Sequence, residues 1–495
     1  MGIPKEILSI KRPKNTVVIA YGKNKDRFAV RERTGCIYDK GRRKPVNGKI
    51  IGHIVNGKYV PKNDETAPAS QSLIDLKDWG NVVLCDRVSG TLLDELMSVF
   101  SMNDALKLYC ISILRVCYPG IKDYELKDRY EESFLSEMYG GVALSKNTVS
   151  KFWNDLGKAC SKILKFMRLR VAKVEAGHHV LIDGTLKSDE SCVNSLSDYS
   201  RKARLKGSRD ISVLYAYDLE AREPICSKCF PGNMLDATAY ESFIEDNKIQ
   251  KGVIVGDKGF PSSSAKKQFA KNKDLHYMNP LKRSSRYITQ YSLLEYEGQL
   301  PGHEMILYKK VKVEGEEKWL YSYRDTSQAH KEDYSWLHKA SKNDEFENSR
   351  YHQDGRLFGT IVLECDLDLD PLDAYLAYDC RWEIELVMRY YKQACEFDET
   401  RVHNDYSVIG SEFSSFLATV MTYRFLSVFE KAGLFRNMTY KKIINLLTRA
   451  KKARVNSMDW TLVKMNPSQI ETLEKLELLP KSLPQKHGRK PKSSV

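Results

Sequence analysis

The 495-residue sequence has no uncharged apolar run of the roughly 18 residues that a membrane-spanning helix needs. The stretch from Phe413 to Tyr423 is uncharged but too short. The first fifteen residues carry charged side chains where a signal peptide would have an apolar core. We therefore expect no membrane span, no secretion by that route, and a soluble protein of the cytoplasm.

Cysteine patterns that would indicate disulfides or zinc are also scarce. Eleven cysteines are scattered through the chain, and in a cytosolic protein they are most simply free thiols. The single CxxC, formed by Cys226 and Cys229, has no second CxxC or HxxxH motif nearby, whereas a tetrahedral zinc site needs four ligands. We expect free thiols and keep zinc at this pair as the minor alternative.

Acidic residues are too few to balance the basic ones. The chain has 79 Lys+Arg against 65 Asp+Glu, a net charge of +14. This balance favours a polyanionic partner, which means nucleic acid or an anionic membrane surface. The hydrophobic fraction of 42% is ample for folded cores, so a disordered or fibrous chain is excluded, and the length suggests about three domains.

Both ends of the chain are strongly basic. Residues 1–63 hold 16 Lys+Arg and 4 Asp+Glu between short β-like apolar runs, which predicts a small, strand-containing basic module. This module either contacts DNA or forms a solvated extension. The last fifteen residues hold five Lys+Arg and no acid, which predicts a disordered basic tail. Such a tail could lie in a minor groove or only keep the protein soluble.

Residues 90–175 are helix-patterned and contain a helix, a glycine-containing turn and a second helix. Ser145 can cap the second helix, and its apolar stripe consists of Val149, Phe152 and Leu156. The face left exposed would be Lys146, Asn147, Ser150 and Lys151. This pattern resembles a DNA-reading helix-turn-helix, with Lys146, Asn147 and Lys151 as DNA contacts, although any pair of antiparallel helices looks similar.

Two apolar runs end in an aspartate followed closely by glycine: His179–Gly184, which contains Asp183, and Gly252–Gly259, which contains Asp257. Two strands and a helix are predicted between them, and a helix and a strand after them. This is the element order of a ribonuclease-H-like core, in which the first and fourth strands are neighbours. The two aspartates would then meet, and their repulsion would require a cation.

A third acid comes from a predicted helix over Tyr378–Lys392. At ~100° per residue, Tyr378, Arg381, Glu385 and Lys392 fall on one stripe about 60° wide, and Glu383 faces almost the opposite way. A solvated face with a charge ladder is one interpretation. The strongly apolar flanks instead indicate a largely buried helix, whose charges would need a metal and phosphates as partners.

The spacing Y-x2-R-x3-E-x6-K, held by Tyr378, Arg381, Glu385 and Lys392, resembles the YREK signature of DDE transposases in one large group of bacterial insertion sequences. The segment Ile182–Thr185 resembles the first-aspartate motif of that family. Pro231–Asn233 with Asp236, and then Gly256–Phe260, resemble its second-aspartate region. Asp398, Arg401 and Val402 also fit the pattern, and the resemblance covers residues 175–405.

The resemblance implies a cut-and-paste transposase that cleaves DNA and transfers strands. Asp183, Asp257 and Glu385 would bind two Mg²⁺ ions, for which Mn²⁺ can substitute, and these ions would activate the nucleophile and stabilise the leaving oxygen. Oxygen-only ligands suit such hard cations and disfavour zinc. Arg381, Lys392 and Tyr378 would hold phosphates without binding metal.

The resemblance also implies the partners and the location. The partners would be double-stranded DNA, both terminal inverted repeats and target, and a second copy of the chain in a synaptic homodimer. The location would be the bacterial cytoplasm, in association with the nucleoid.

The stretch of 128 positions between Asp257 and Glu385 is longer than a compact core needs and reads as a strand-rich insertion. The family has a β-rich insertion at this place, with an aromatic residue that holds an extruded base. Trp319 is the candidate for that role and Trp336 is a second one, although both could simply be core aromatics.

We predict an α/β protein with a ribonuclease-H-like core, a β-rich insertion, a basic N-terminal module and helical DNA-binding and C-terminal regions. The boundaries are 1–85 for the basic module, 86–175 for the helical DNA-binding region, 176–284 with 371–404 for the core, 285–370 for the insertion, and 405–495 for the helical C-terminal region and tail. Two other functions stay open: a ribonuclease-H-like nuclease without strand transfer, and a non-catalytic DNA-binding relic or repressor.

Overall fold

The computed structural model describes residues 3–22, 27–39, 42–62, 74–189, 191, 193–199, 209–234, 236–257, 262–343, 346–381, 385–386, 389, 399–400, 402–456 and 458–480. The chain divides into two compact units, residues 1–75 with 454–459 and residues 76–453 with 460–495. Among the described helices, none combines the length and the apolarity that a membrane span requires.

The first unit is built on an antiparallel sheet in the order β1-β2-β3-β4. Its elements are helix α1 (Lys5–Leu8) and strands β1 (Thr16–Tyr21), β2 (Arg27–Asp39), β3 (Arg42–Val55) and β4 (Lys58–Pro61). Val18, Val30 and Ile54 form its small buried core. Asn56 and Gly57 both have positive φ, 49° and 73°, so the Asn-Gly pair makes the tight turn that joins β3 to β4.

The helical part of the second unit precedes its large sheet. After strand β5 (Ile74–Asp78) come α2 (Gly80–Met97), α3 (Met102–Cys117), α4 (Leu126–Glu132), α5 (Leu135–Met138), α6 (Lys146–Lys158) and α7 (Cys160–Val171). Helix α6 starts where the sequence predicts, and Val149, Phe152 and Leu156 are buried. The Ser145 hydroxyl lies 2.8 Å from the Thr148 hydroxyl and caps no backbone N–H group.

The core follows the predicted order of strands and helices. It consists of β6 (His179–Asp189), β7 (Arg209–Asp218), β8 (Glu223–Pro231), α8 (Asp236–Asn247), β9 (Lys251–Val255), a 3-10 turn (Ser262–Ala265), α9 (Lys266–Lys271) and β10 (Asp274–Pro280). In the sheet these strands lie in the order β8-β7-β6-β9-β10, and β6 and β9 are parallel neighbours. This is the strand order of a ribonuclease-H-like core within a mixed α/β unit.

The predicted insertion extends the same sheet and also contains helices. Its elements are α10 (Tyr287–Gln290), β11 (Gly298–Leu300), β12 (His303–Lys312), β13 (Trp319–Asp325), α11 (Thr326–Asn343), α12 (Asn348–Gly355) and β14 (Thr360–Cys365). Strand β14 pairs antiparallel with β10. The result is a nine-stranded sheet in the order β11-β12-β13-β14-β10-β9-β6-β7-β8.

The remaining elements are mainly helical. They are α13 (Pro371–Asp379), α14 (Asp405–Lys431), a 3-10 turn (Leu434–Arg436), α15 (Tyr440–Thr448), β15 (Lys451–Val455), β16 (Thr461–Leu462) and α16 (Pro467–Lys475). Strands β16, β15 and β5 form a separate three-stranded sheet. The predicted basic tail, residues 481–495, lies outside the described residues.

Helices α6 and α14 cross with their backbones in direct contact. A Cβ atom built on Gly157 of α6 would lie 1.8 Å from the Tyr406 carbonyl oxygen, and one on Gly410 of α14 would lie 2.3 Å from the Trp153 carbonyl oxygen. Only glycine permits an approach this close. The crossing fixes the position of α6 on the long helix that follows the predicted core.

Candidate active site

The register of β6 and β9 places the two aspartates side by side. The pair Leu181 and Val255 lies in parallel register, and Asp183 and Asp257 each follow two residues later. The expectation that Asp183 ends its strand is wrong, because β6 continues to Asp189 in antiparallel pairing with β7. Asp257 does lie just beyond the end of β9. The aspartates therefore meet where β9 ends and β6 continues.

Arg381 joins the third acid to this pair. Its Nη2 donates to Glu385 Oε1 at 2.8 Å, and its Nη1 lies 3.9 Å from Asp257 Oδ1. The guanidinium carbon lies 5.8 Å from the centre of the Tyr378 ring. The structure thus brings together Asp183, Asp257, Glu385, Arg381 and Tyr378. Lys392, the remaining member of the predicted stripe, lies outside the described residues, as do Asp398 and Arg401.

The helix predicted to run unbroken through Tyr378 is interrupted. Helix α13 ends at Asp379, Cys380 is its C-cap with φ −64° and ψ −7°, and Arg381 lies in a turn. Glu385 is again helical, but its side chain is 52% exposed, so the expected burial of this acid is wrong. Arg381 and Glu385 still meet, because a side chain as long as arginine reaches a carboxylate four positions on.

Asp183 is the acid of the site whose pKa is clearly shifted. Burial raises the pKa of Asp183 to about 6, and the neighbouring charges of Asp257 and Glu385 act in the same direction. A hydrogen bond of 2.8 Å from the Gly184 N–H to Oδ1 and the charge of Arg381 oppose this rise. Asp183 is therefore the inner carboxylate of the group. The other two, Asp257 and Glu385, are more exposed to solvent.

By donor type these residues suit a divalent cation, although their carboxylate oxygens do not all lie within 4.8 Å of one another in this structure. The donors are carboxylate oxygens from three parts of the chain, which is the donor set of Mg²⁺ and Mn²⁺. Burial first, and then the charges of Asp257 and Glu385, raise the pKa of Asp183 and so disfavour its ionised form. A bound cation would offset that effect.

A second group of metal-binding residue types lies at the other end of β6. Among the described residues, one group of histidine and acidic side chains has the spacing of a metal site. Its ligand atoms, from His178, Asp218 and Glu220, lie within 4.8 Å of one another. His178 Nδ1 lies 2.8 Å from Asp218 Oδ2, and this hydrogen bond raises the pKa of His178, which favours the protonated ring. His179 Nδ1 likewise lies 2.8 Å from Glu220 Oε1, so each carboxylate of the group has a histidine partner.

The two tryptophans have different surroundings. Trp319 begins β13, pairs with Lys312 and Cys365 on the flanking strands, and is partly buried. The Lys312 ammonium lies 4.9 Å from the centre of its ring. Trp336 on α11 donates from Nε1 to Asp354 at 3.0 Å and packs on the rings of Phe346 and Tyr351. Both tryptophans are half-buried; Trp336 packs within a cluster of aromatic rings, and Trp319 packs against the main hydrophobic core.

The predicted DNA contacts Lys146, Asn147 and Lys151 are exposed on α6. Cys226 and Cys229 both lie on β8 as free thiols. Neither belongs to a group of potential metal ligands in the part of the chain that the structure describes.

Sequence reasoning missed Asn279 at the end of β10. Its Oδ1 accepts a hydrogen bond of 3.2 Å from the Gly256 N–H, next to Asp257. The side chain is 1% exposed, so it supports the turn from beneath without facing solvent. The feature of the sequence that could have identified it is a polar residue near the end of a predicted apolar strand, the strand that lies beside β9.

The central part of the chain matches a known protein family. The family model described as Transposase DDE domain matches residues 177–408, a range that begins just before β6 and ends in α14. It contains Asp183, Asp257 and Glu385. The protein therefore carries a transposase DDE domain and is an enzyme that acts on DNA in transposition. DDE transposases use divalent metal ions for this chemistry.

One solved structure that matches this chain is a cryo-EM structure of the piggyBac transposase synaptic complex with hairpin DNA. It is 10% identical, has a TM-score of 0.38, and the match covers 74% of this chain and 79% of that chain. At this distance the likeness carries no conclusion about the present protein. The comparison with curated proteins found no match.

Proposed function

We propose that the protein is a cut-and-paste transposase of the insertion-sequence type whose catalytic acids are Asp183, Asp257 and Glu385. The observation that carries the proposal is the parallel register that sets Asp183 beside Asp257, with Arg381 linking Asp257 to Glu385. Three acids from separate parts of the chain meet near the carboxyl end of β9, inside a ribonuclease-H-like sheet. The matched transposase DDE domain covers all three.

The three acids would hold two Mg²⁺ ions, which Mn²⁺ can replace. When bound, such ions supply an activated water or 3′-hydroxyl and stabilise the leaving oxygen of the phosphodiester. The Gly184 N–H fixes the rotamer of Asp183, and Asn279 supports the turn that carries Asp257. The protein's own contribution to metal binding would therefore include a fixed Asp183 side chain and a supported turn for Asp257.

Arg381 and Tyr378 would position the DNA. Arg381 can grip a phosphate with two parallel hydrogen bonds, and the Tyr378 ring beside it limits the directions in which the guanidinium can point. Arg381 contacts Asp257 and Glu385, so its guanidinium lies where a phosphate held at these acids would be within reach. Lys392 would add a further charge.

Other parts of the chain would bind the transposon ends. We propose DNA contacts for the exposed α6 residues Lys146, Asn147 and Lys151, and an extruded-base contact for the partly buried Trp319. The joining of two ends favours a synaptic homodimer. The bacterial cytoplasm, near the nucleoid, is the compartment in which such a reaction would take place.

The test is metal-dependent cleavage of the DNA that flanks the gene. We expect the wild-type protein with Mg²⁺ or Mn²⁺ to cut at discrete ends and to join them to a target. Asp183→Asn and Glu385→Gln should both abolish cutting. The matched control is Glu220→Gln, a carboxylate at the other end of β6, which should cut normally.

Other results would decide between the alternatives. Cutting without joining identifies a nuclease. Tight binding without cutting identifies a non-catalytic DNA-binding protein. Cutting that survives Asp183→Asn contradicts the assignment of the acids.

A further inference from the structure

A groove runs along helix α6. It consists of two adjoining cavities of about 670 Å³ and 330 Å³ that share Asn147, Lys151 and Asp155. Helices α3 and α7 supply further walls of the larger cavity, and the start of α14 closes the smaller one. All of these elements belong to the same compact unit. The walls are thus fixed by helix packing.

Lys107 of α3 lines the larger cavity and is unusual because it is almost buried. It is 7% exposed, and its ammonium lies 4.8 Å from the centre of the Phe152 ring. Within the described ranges no ion pair or hydrogen bond joins it to an acid. The stem of Lys107 is buried, whereas its ammonium is not among the buried polar atoms that lack a partner, so the charge reaches the surface of the cavity. The ammonium is therefore available to an anion that enters the groove.

The charges of the groove also favour an anion. Four lysines line the two cavities, Lys107, Lys151, Lys158 and Lys162, against two acids, Asp104 and Asp155. Asp104 Oδ2 already accepts a hydrogen bond of 2.7 Å from the Ser101 hydroxyl at the start of α3. Most of the remaining polar wall is amide and hydroxyl. These groups can donate to phosphate oxygens without adding charge.

The shape of the groove indicates a backbone and not a single small anion. Lys151 and Lys158 are seven residues apart on α6, which corresponds to about 10.5 Å along the helix. Two lysines this far apart on one helix can contact two different phosphates of one DNA strand. The face of α6 that carries Asn147 and Lys151 lies inside the groove. A helix that reads bases in a major groove must instead protrude.

We propose that this groove binds the phosphodiester backbone of duplex DNA, with Lys107 as its anchor. The inference rests on the proposed function, because it takes the DNA of the transposition reaction as the ligand. It assigns α6 to backbone contact, which holds the duplex in register without reading its sequence. The glycine contacts between α6 and α14 keep the groove at a fixed position relative to the end of the DDE domain.

The test is the salt dependence of DNA binding, measured by fluorescence anisotropy with the full chain. Lys107→Met and Lys151→Met should each reduce the slope of log affinity against log salt by about 0.9, because each loses one phosphate contact. When salt is lowered from 1 M to 0.1 M, the affinity of each variant should therefore rise roughly eightfold less than the affinity of the wild type. The loss should be equal for duplexes of different sequence. Lys107→Arg, which keeps the charge, should restore most of the slope.

The matched control is Lys165→Met, an exposed lysine on α7 that does not line either cavity. It should leave the slope unchanged. Lys151 is exposed, so its variant tests the groove even if Lys107→Met does not fold. An unchanged slope in both variants overturns the proposal. A loss confined to one DNA sequence also overturns it, in favour of base reading by α6.

Cleavage by the same proteins separates this inference from the proposed function. If the wild-type protein cuts DNA and the slopes do not change, the groove proposal fails and the transposase proposal stands. If the slopes change and the wild-type protein never cuts, the groove proposal stands and the catalytic one fails.

Discussion

Arg381 is the residue on which the charges of the candidate active site converge. One guanidinium faces two carboxylates, Asp257 and Glu385, whose side chains are 47% and 52% exposed. A third carboxylate, Asp183, lies deeper in the site, and burial raises its pKa to about 6. The site therefore has more negative than positive charge, and Arg381 occupies the place that a cation would take over.

We predict that Arg381→Gln lowers the cleavage rate by about 100-fold, the effect of losing one preorganised electrostatic contact to the reacting phosphate. The same change should not weaken Mn²⁺ binding, because the arginine no longer competes for Glu385. Cleavage assays and isothermal titration calorimetry with Mn²⁺ measure the two effects. Weaker Mn²⁺ binding in this variant would show that Arg381 organises the acids and does not hold DNA.

Arg350 provides the control for this change. It lies 3.9 Å from Asp354 in an exposed pair with the same i,i+4 spacing, on helix α12 of the insertion. Arg350→Gln should leave both cleavage and Mn²⁺ binding unchanged, since exposed pairs of this kind contribute little.

His178 gives a prediction about pH. Its hydrogen bond to Asp218 raises its pKa in the folded protein, so the protonated ring stabilises the fold. This stabilisation is fully present below the ordinary histidine pKa of roughly 6.5 and is lost as pH rises through the raised value. His178→Gln should be less stable than wild type at pH 5.5, and the difference should shrink by pH 8.5.

Thermal unfolding midpoints across this pH range measure the effect. His330→Gln, an exposed histidine on α11, is the control and should track the wild type at every pH. A stability difference for His178→Gln that does not depend on pH would contradict the ion pair.

At the scale of helices and strands, the α6–α14 crossing is the contact least able to accept change. We predict that Gly157→Ala and Gly410→Ala each destabilise the protein by about 2 kcal/mol or more, because the new methyl group meets backbone atoms. Gly90→Ala in α2 is the control. It has no atom within 4 Å of its Cβ position and should stabilise by about 0.5–1 kcal/mol.

Denaturant unfolding measures these changes. DNA binding should also weaken in Gly157→Ala, because the groove on α6 loses its fixed support. Equal stability of Gly157→Ala and wild type would mean that the two helices can separate at no cost.

The core strands could be predicted because each feature that defines them is local. Apolar runs that end in Asp183 and Asp257 indicate strands, and the order of elements then makes those strands neighbours. The break after Asp379 could not be predicted, since no proline or glycine marks it. The pairing of β14 with β10 joins residues more than 80 positions apart, and such long-range pairing leaves no local pattern.

The site shows the same division between local and long-range information. The three acids and Tyr378 follow from motifs and spacing. The contact between Arg381 and Asp257 depends on how a turn after α13 meets the end of β9, and the role of Asn279 depends on which strand lies beside β9. Both arise from packing between distant segments.

At the scale of the whole molecule, Arg170 joins the helical region to the sheet. It is 3% exposed and donates to Glu95 of α2 at 2.7 Å and to Glu223 of β8 at 2.6 Å. Glu223 also accepts from Arg424 of α14 at 2.5 Å. Burial raises the pKa of Glu223, but Arg170 and Arg424 outweigh it and hold the pKa below its usual value. Four elements therefore meet at one buried charge.

We predict that Arg170→Met destabilises the protein by about 3–5 kcal/mol, because two largely shielded carboxylates lose their partner. Lys173→Met is the matched control. Lys173 contacts the same Glu95 at 2.6 Å, but its side chain is 63% exposed, so its loss should cost at most about 1 kcal/mol. Denaturant unfolding compares the two, and similar effects would contradict a central role for the buried arginine.

The nine-stranded sheet has one further consequence. Strand β10 would be an edge strand if the ribonuclease-H-like core stood alone, with a free row of N–H and C=O groups next to the turn that carries Asp257. Such an edge readily captures a strand from another chain and leads to aggregation. Strand β14 occupies that row, and the open edge moves out to the three-residue strand β11. A truncated variant without residues 285–370 should therefore aggregate, because it exposes the edge of β10.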